Sequence, residues 1–132
     1  MIYKKRRKYK YILQGPVAIQ VAVHVPKPVA IGPLTISPTG GLQIDAGYAW
    51  DGATLCPDVQ SIIFPSLVHD AMYQLIREGV LNIHTDRKIA DKLLKELCIQ
   101  SGMWKPAAWL VYHAVRLFGR KAAENDLLSV PG

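Results

Sequence analysis

Cysteine is scarce in this chain, with Cys56 and Cys98 the only two among 132 residues. That excludes a small scaffold stapled by several disulfides and favours a reducing compartment over secretion, with a single bridge left open. Long apolar runs are missing too. No stretch reaches the roughly 18 residues that a bilayer-spanning helix needs, so the chain is not expected to cross a membrane. There is no internal repeat and no low-complexity segment. The histidines, His24, His69, His84 and His113, form no H-x-x-x-H pair, and no C-x-x-C occurs, so zinc has no support from spacing.

What is present describes a folded domain. Half of the residues are hydrophobic and a fifth are charged, and a chain of this length buries one substantial core. The net charge of +6 comes from one place: Lys4, Lys5, Arg6, Arg7, Lys8 and Lys10 supply six cations, leaving ten basic and ten acidic side chains elsewhere. Residues 1–12 therefore form a basic arm, interleaved with Tyr3, Tyr9 and Tyr11, suited to anionic lipid headgroups or nucleic-acid phosphates. The plainer alternative is a solvated tail. A basic start followed by apolar residues also mimics a secretory signal, but Val17, Ile19, Val21, Val23 and Val25 alternate with Ala18, Gln20, Ala22 and His24 behind Gly15-Pro16. That is a strand pattern, so no signal peptide is expected.

Residues 13–132 are expected to form one α+β domain, with a β portion over 13–56 and a helical portion over 61–121. The alternation predicts a strand over 17–25, a short strand at 34–36, a turn at Ser37-Pro38-Thr39-Gly40-Gly41 and a further strand over Leu42–Tyr48, together a small antiparallel β portion. After Pro65 the apolar period lengthens to that of a helix. Leu67, Val68, Ala71, Met72, Leu75 and Ile76 form one face, with Ser66 as cap and Gly79 as stop. Thr85 opens a second helix with Ile89, Leu93, Leu94, Leu97 and Cys98 as its stripe, ending near Gly102. Lys105-Pro106 opens a third, whose apolar residues are Trp109, Leu110, Val115, Leu117 and Phe118, ending at Gly119. The short connection 79–84 predicts that the first two helices pack as an antiparallel hairpin.

On the first of these helices His69 and Tyr73, four residues apart, share a face, and Asp70 lies about a quarter turn away. A neutral imidazole acts as a general base when a carboxylate holds its tautomer and supports the imidazolium that forms. Asp91, at the border of the second helix's apolar stripe, is placed to do this across the hairpin. Asp70 is then available to a hard cation such as calcium, with Asp51 and the loop Tyr48-Ala49-Trp50-Asp51-Gly52-Ala53-Thr54 as further oxygen donors and Gly52 permitting an unusual backbone angle. Such a cation polarises a carbonyl or phosphoryl oxygen while His69 activates water. The competing reading is a partly buried histidine satisfied by one hydrogen bond, with Asp91 paired to Arg87 or Lys95 at helical spacing. Trp104 and Trp109 read as core or interfacial anchors.

The arrangement His69-Asp70-x-x-Tyr73 on one helix, answered by an aspartate on the antiparallel partner, resembles the core of phospholipase A2, above all its short bacterial and fungal forms. The resemblance implies His69 as base, Asp91 as its orienter, Tyr73 as a supporting hydrogen-bond partner, and calcium on Asp70 with carbonyls of Trp50, Gly52 and Thr54. The glycine-rich, cysteine-containing calcium loop and the disulfides flanking the histidine in that family are not present. A second likeness covers roughly residues 40–120: Gly47-Tyr48-Ala49-Trp50-Asp51-Gly52-Ala53-Thr54, Pro57, the His69-Asp70 helix and Arg87-x-x-Ala90-Asp91 resemble an uncharacterised family of small phage and prophage proteins. Together they imply a phage-associated hydrolase acting on phospholipid membranes, located in the host cytoplasm or the virion. The alternative is a non-catalytic virion structural or assembly protein that docks on other virion proteins or on nucleic acid through its arm and β portion.

Overall fold

The computed structural model describes residues 3–4, 11–50 and 60–124. It is an α+β chain in which N-terminal strands are followed by helices, and its contacts divide it into two compact units, Met1–Gly52 and Ala53–Gly132.

The first unit contains two antiparallel sheets. In one, β1 (Tyr3–Lys4) pairs with β2 (Tyr11–Leu13), which pairs with β7 (Ala49–Trp50). Residues 3–4 of the basic arm are thus strand, opposite 12–13. In the other sheet the order is β3 (Val17–Gln20), β6 (Gly41–Ile44), β5 (Leu34–Ile36), β4 (Val29–Ile31). The register sets Leu34 opposite Ile44 and Ile36 opposite Leu42. Period-two alternation then puts all four on one face, where they are buried.

The strand predicted over 17–25 ends at Gln20, because the chain there leaves its partner β6 to meet the Ser37–Gly40 turn. Val21 N–H donates to the carbonyl of Gly40 at 2.8 Å and Val25 N–H to that of Pro38 at 3.4 Å. Val21, Val23 and Val25 remain buried, so the apolar alternation outlasts the ladder. Gly40 has φ +92°, and a Cβ there would lie 2.1 Å from the Val21 carbonyl oxygen; only glycine allows this approach. The strand predicted over 42–48 is likewise split. It runs as β6 to Ile44, turns at 45–47, and resumes as β7 in the other sheet. The hairpin partner β4 had too few residues to announce itself.

The second unit is helical: α1 (Gln60–Arg77), α2 (Asp86–Gln100), α3 (Lys105–Phe118) and the short α4 (Arg120–Ala123), one more than the periodicity predicts. α1 extends nearly two turns further back than expected, with Pro65 inside it. Pro65 has no N–H to offer the preceding turn, but Ile62, Ile63 and Pro65 itself are buried, which offsets the lost hydrogen bond. Ser66 is therefore not a cap; its buried hydroxyl donates to the Ile63 carbonyl at 2.8 Å. Thr85 occupies the cap position of α2 without a side-chain bond. The turn is held instead by Asn82, whose side-chain oxygen accepts from the N–H groups of His84 and Thr85, and whose own N–H donates to Asp86. Ile62, Leu94, Cys98, Ala108, Val111 and Val115 form the core joining α1, α2 and α3.

Candidate active site

α1 and α2 pack together as the hairpin expected, and the side chains singled out on them meet. His69 Nε2 lies 2.6 Å from Asp91 Oδ1. The Tyr73 hydroxyl donates to the same Oδ1, also at 2.6 Å. The imidazole and phenol rings are 4.1 Å apart at 40°, as expected for side chains one turn apart on a helix. Asp91 is 0 % exposed, and His69 and Tyr73 are buried beside it.

Two arginines complete the cluster. Arg116, from α3, donates through Nη1 to Asp91 Oδ2 at 2.7 Å. Arg87, one turn before Asp91 on α2, donates through Nε to the Tyr73 hydroxyl at 3.1 Å, while its Nη2 bonds the carbonyls of Val115 and Arg116 at 2.8 and 3.0 Å. Those carbonyls belong to the last turn of α3, where a cation suits the negative end of the helix. At 4.0 Å from Asp91 Oδ2, Arg87 is an electrostatic neighbour of the carboxylate, not a hydrogen-bond donor to it. Gly119 closes the cluster from the α3–α4 junction: a Cβ there would lie 2.5 Å from the Val115 carbonyl oxygen and 2.8 Å from the Tyr73 hydroxyl. Lys95, the other local partner considered for Asp91, turns away. It pairs with Glu96 at 3.4 Å and lies 3.8 Å over the Trp109 ring.

The electrostatics follow from these contacts. Burial works to raise the Asp91 carboxyl, but hydrogen bonds from His69, Tyr73 and Arg116 and electrostatic attraction from His69 outweigh it, so the group is held below its ordinary value and stays ionised. Tyr73 moves the other way. Burial first, then its hydrogen bond to the Asp91 carboxylate, push the phenol well above the usual tyrosine value, with Arg87 opposing only in part. Tyr73 is thus a neutral donor.

The engagement of Nε2 has a chemical consequence. In a neutral imidazole one nitrogen carries the proton and the other a lone pair, and a carboxylate at 2.6 Å selects the tautomer with its proton on Nε2. The lone pair is then on Nδ1, the position from which His69 can accept a proton. Once formed, the imidazolium faces an ionised carboxylate.

Of the remaining site residues, Asp70 is half-buried on α1, and Trp50 is a buried core residue of the first unit, its ring 5.3 Å from that of Tyr11. Asp51, Gly52 and Thr54, and the arm residues Lys5, Arg6, Arg7, Lys8 and Lys10, lie outside the described residues; Lys4 falls in β1. Among the described residues, no group of three or more His, Cys, Asp or Glu side chains is gathered as a metal cluster. A cleft of about 510 Å³, lined in part by Leu81, His84, Arg120 and Glu124, follows the α1–α2 turn and includes none of the dyad residues.

Arg116 and Gly119 are the site residues that sequence reasoning missed. Neither carries a local signal, since each reaches the cluster only through the packing of α3. The fold and site thus define an α+β chain with a buried His–Asp–Tyr network on a helical hairpin, clamped by two arginines. Compared with known proteins, the chain matches no family model, no curated protein and no solved structure.

Proposed function

We propose that this chain is a phospholipase A2-like hydrolase in which His69 activates water for attack on a phospholipid ester. The observation that carries this reading is the 2.6 Å contact between His69 Nε2 and Asp91 Oδ1 in a site where Asp91 stays ionised. Water on Nδ1 gives up its proton to His69 as its oxygen attacks the ester carbonyl carbon. The imidazolium then returns the proton to the departing alcohol oxygen, leaving a free fatty acid and the lyso product. Asp91 orients the ring and balances the imidazolium charge, Tyr73 and Arg116 fix the carboxylate, and Arg87 locks α2 to α3 so that the geometry is set before substrate arrives.

Asp70 is the residue of the helical unit that would hold calcium in this reading, through its carboxylate oxygens. When bound, the ion would neutralise charge building on the ester oxygen. A carboxylate on the residue after the base suits this role, because it lies on the same turn of α1 but on a different face. A phage setting, in the host cytoplasm or the virion, would direct the activity against host membrane, and contact with virion proteins or nucleic acid would fall to the basic arm.

The test is release of fatty acid from mixed phospholipid vesicles, with calcium or chelator, by the parent chain and by His69→Gln and Asp91→Asn. The expected result is calcium-dependent release by the parent, a loss of at least roughly a hundredfold in His69→Gln, and a smaller loss in Asp91→Asn. Equal rates from parent and His69→Gln would leave the cluster a structural clasp between three helices, consistent with a virion assembly role.

A further inference from the structure

α3 has two apolar faces, and among the described residues only one is covered. Ala108, Val111 and Val115 point into the helical core. On the opposite side, at spacings of four, three and four, lie Pro106, Leu110, His113 and Leu117. Leu110 is 71 % exposed and Leu117 75 %; Phe118 at the helix end is 67 % exposed, and Trp104 at its start 77 %. An ordinary surface helix turns charged or polar residues outward, and one that is apolar all round is normally buried. Among the described residues nothing polar or packed covers the outer side of α3.

Charge identifies what covers it. From Lys105 to Ala123 the chain carries Lys105, Arg116, Arg120 and Lys121 and no acidic residue. Lys105 precedes the outer stripe and Arg120 and Lys121 follow it, all three exposed. A second copy of this chain seated on the same face would oppose cation to cation. Nucleic acid would suit the cations but leave two leucines and a tryptophan against phosphates. An apolar stripe between cations, with an aromatic residue at its edge, is the pattern of a helix lying in the interface of an anionic bilayer.

We infer that the outer face of α3 docks this protein flat on a membrane rich in anionic headgroups, with Leu110 and Leu117 entering the acyl boundary, Trp104 at the start of the helix beside them, and Lys105, Arg120 and Lys121 meeting the phosphates. This goes beyond the hydrolase proposal and holds whether or not His69 is a base. Arg116, on the flank of the same helix, bonds Asp91, so the helix that would dock is also the one that clamps the dyad.

The test is co-sedimentation of the full chain with vesicles of phosphatidylcholine plus phosphatidylglycerol, against phosphatidylcholine alone, and quenching of tryptophan emission by brominated lipid. Among the tryptophans Trp50 is buried at 2 % exposure, so quenching reports on Trp104 and Trp109. The parent is expected to sediment with the anionic vesicles and be quenched. Leu110→Asn/Leu117→Asn, with the basic arm intact, should lose at least about tenfold in partitioning, since each leucine removed from water contributes more than that factor requires. Lys105→Gln/Lys121→Gln should weaken binding to the anionic vesicles alone. His69→Gln should bind as the parent does, so a failure of hydrolysis and a failure of docking are distinguishable. Unchanged thermal unfolding shows that the leucine variant is folded. Equal partitioning of parent and leucine variant, absence of quenching, or a parent dimer that the leucine variant converts to monomer would each overturn the inference.

Discussion

The two compact units of this chain bury different chemistry. Among the described residues of the β unit the buried side chains are apolar or aromatic, from Tyr11 and Leu13 through Ile44 to Trp50, whereas Ser66, His69, Arg87 and Asp91, the buried polar and charged residues, all lie in the helical unit. An apolar interior is the cheaper way to hold a small fold. Ionised side chains lose several kcal/mol of hydration when buried, and even well-paired ones often do no better than hydrophobic residues of the same size. The β unit needs only its period-two pattern. The helical unit accepts a less favourable interior where the dyad sits, and such departures from local rules cluster at functional sites.

Substitutions sharpen the contrast. Asp91→Ala should have the largest effect, about 3–5 kcal/mol lost in denaturant unfolding, because it leaves Arg116, Arg87 and the Tyr73 hydroxyl facing a void. A change of only about 1 kcal/mol would mean that water or rearranged side chains satisfy the cluster. In the β unit Ile44→Ala should cost about 2–4 kcal/mol as a cavity effect, without the pH dependence that marks Asp91. Gly119→Ala should cost about 1–3 kcal/mol, since the new methyl must displace the Tyr73 hydroxyl or the Val115 carbonyl; its cost should shrink in a Tyr73→Phe background, itself about 1 kcal/mol less stable.

The units should also separate in pH. Asp91 is held below its ordinary carboxyl value of 3.8, so the unfolded chain binds this proton more readily than the folded one. Its contribution is complete above about pH 5 and falls away as the pH drops through the folded-state value. Tyr73 is raised from its ordinary value of 10.0, so its contribution is complete below that value and lost as the pH climbs toward the folded-state one. Thermal melts from pH 3 to 11 should show both limbs in the parent, Asp91→Asn should flatten the acid limb, and Tyr73→Phe the alkaline one.

Much of the dyad was legible because a helical hairpin is a local object. Four-residue spacing placed His69 and Tyr73 on one side of α1, and the brevity of the 79–84 connection made α2 antiparallel, so Asp91 had few places to go. Arg116 was not legible, because its contact depends on how α3 crosses the hairpin, and Gly119 read as a stop signal when it is also a close-packing position. The β portion shows the opposite limit. Val21, Val23 and Val25 alternate as a strand does and are buried as a strand's core face is, yet their hydrogen bonds go to a turn. Alternation reports burial; it does not report the partner. On α3 the aromatic and aliphatic residues looked alike in sequence, and only the crossing over α1 and α2 decides that Val115 is inside while Leu110 and Leu117 are out.

The most direct measurement is the tautomer of His69, read from long-range nitrogen–proton NMR correlations of the neutral ring in parent and Asp91→Asn chains. A hydrogen bond from Nε2–H to Asp91 predicts a single Nε2-protonated form in the parent and a mixture in the variant. An Nδ1-protonated ring in the parent, or a tautomer ratio unmoved by Asp91→Asn, would contradict the orienting role of Asp91 and the base chemistry built on it.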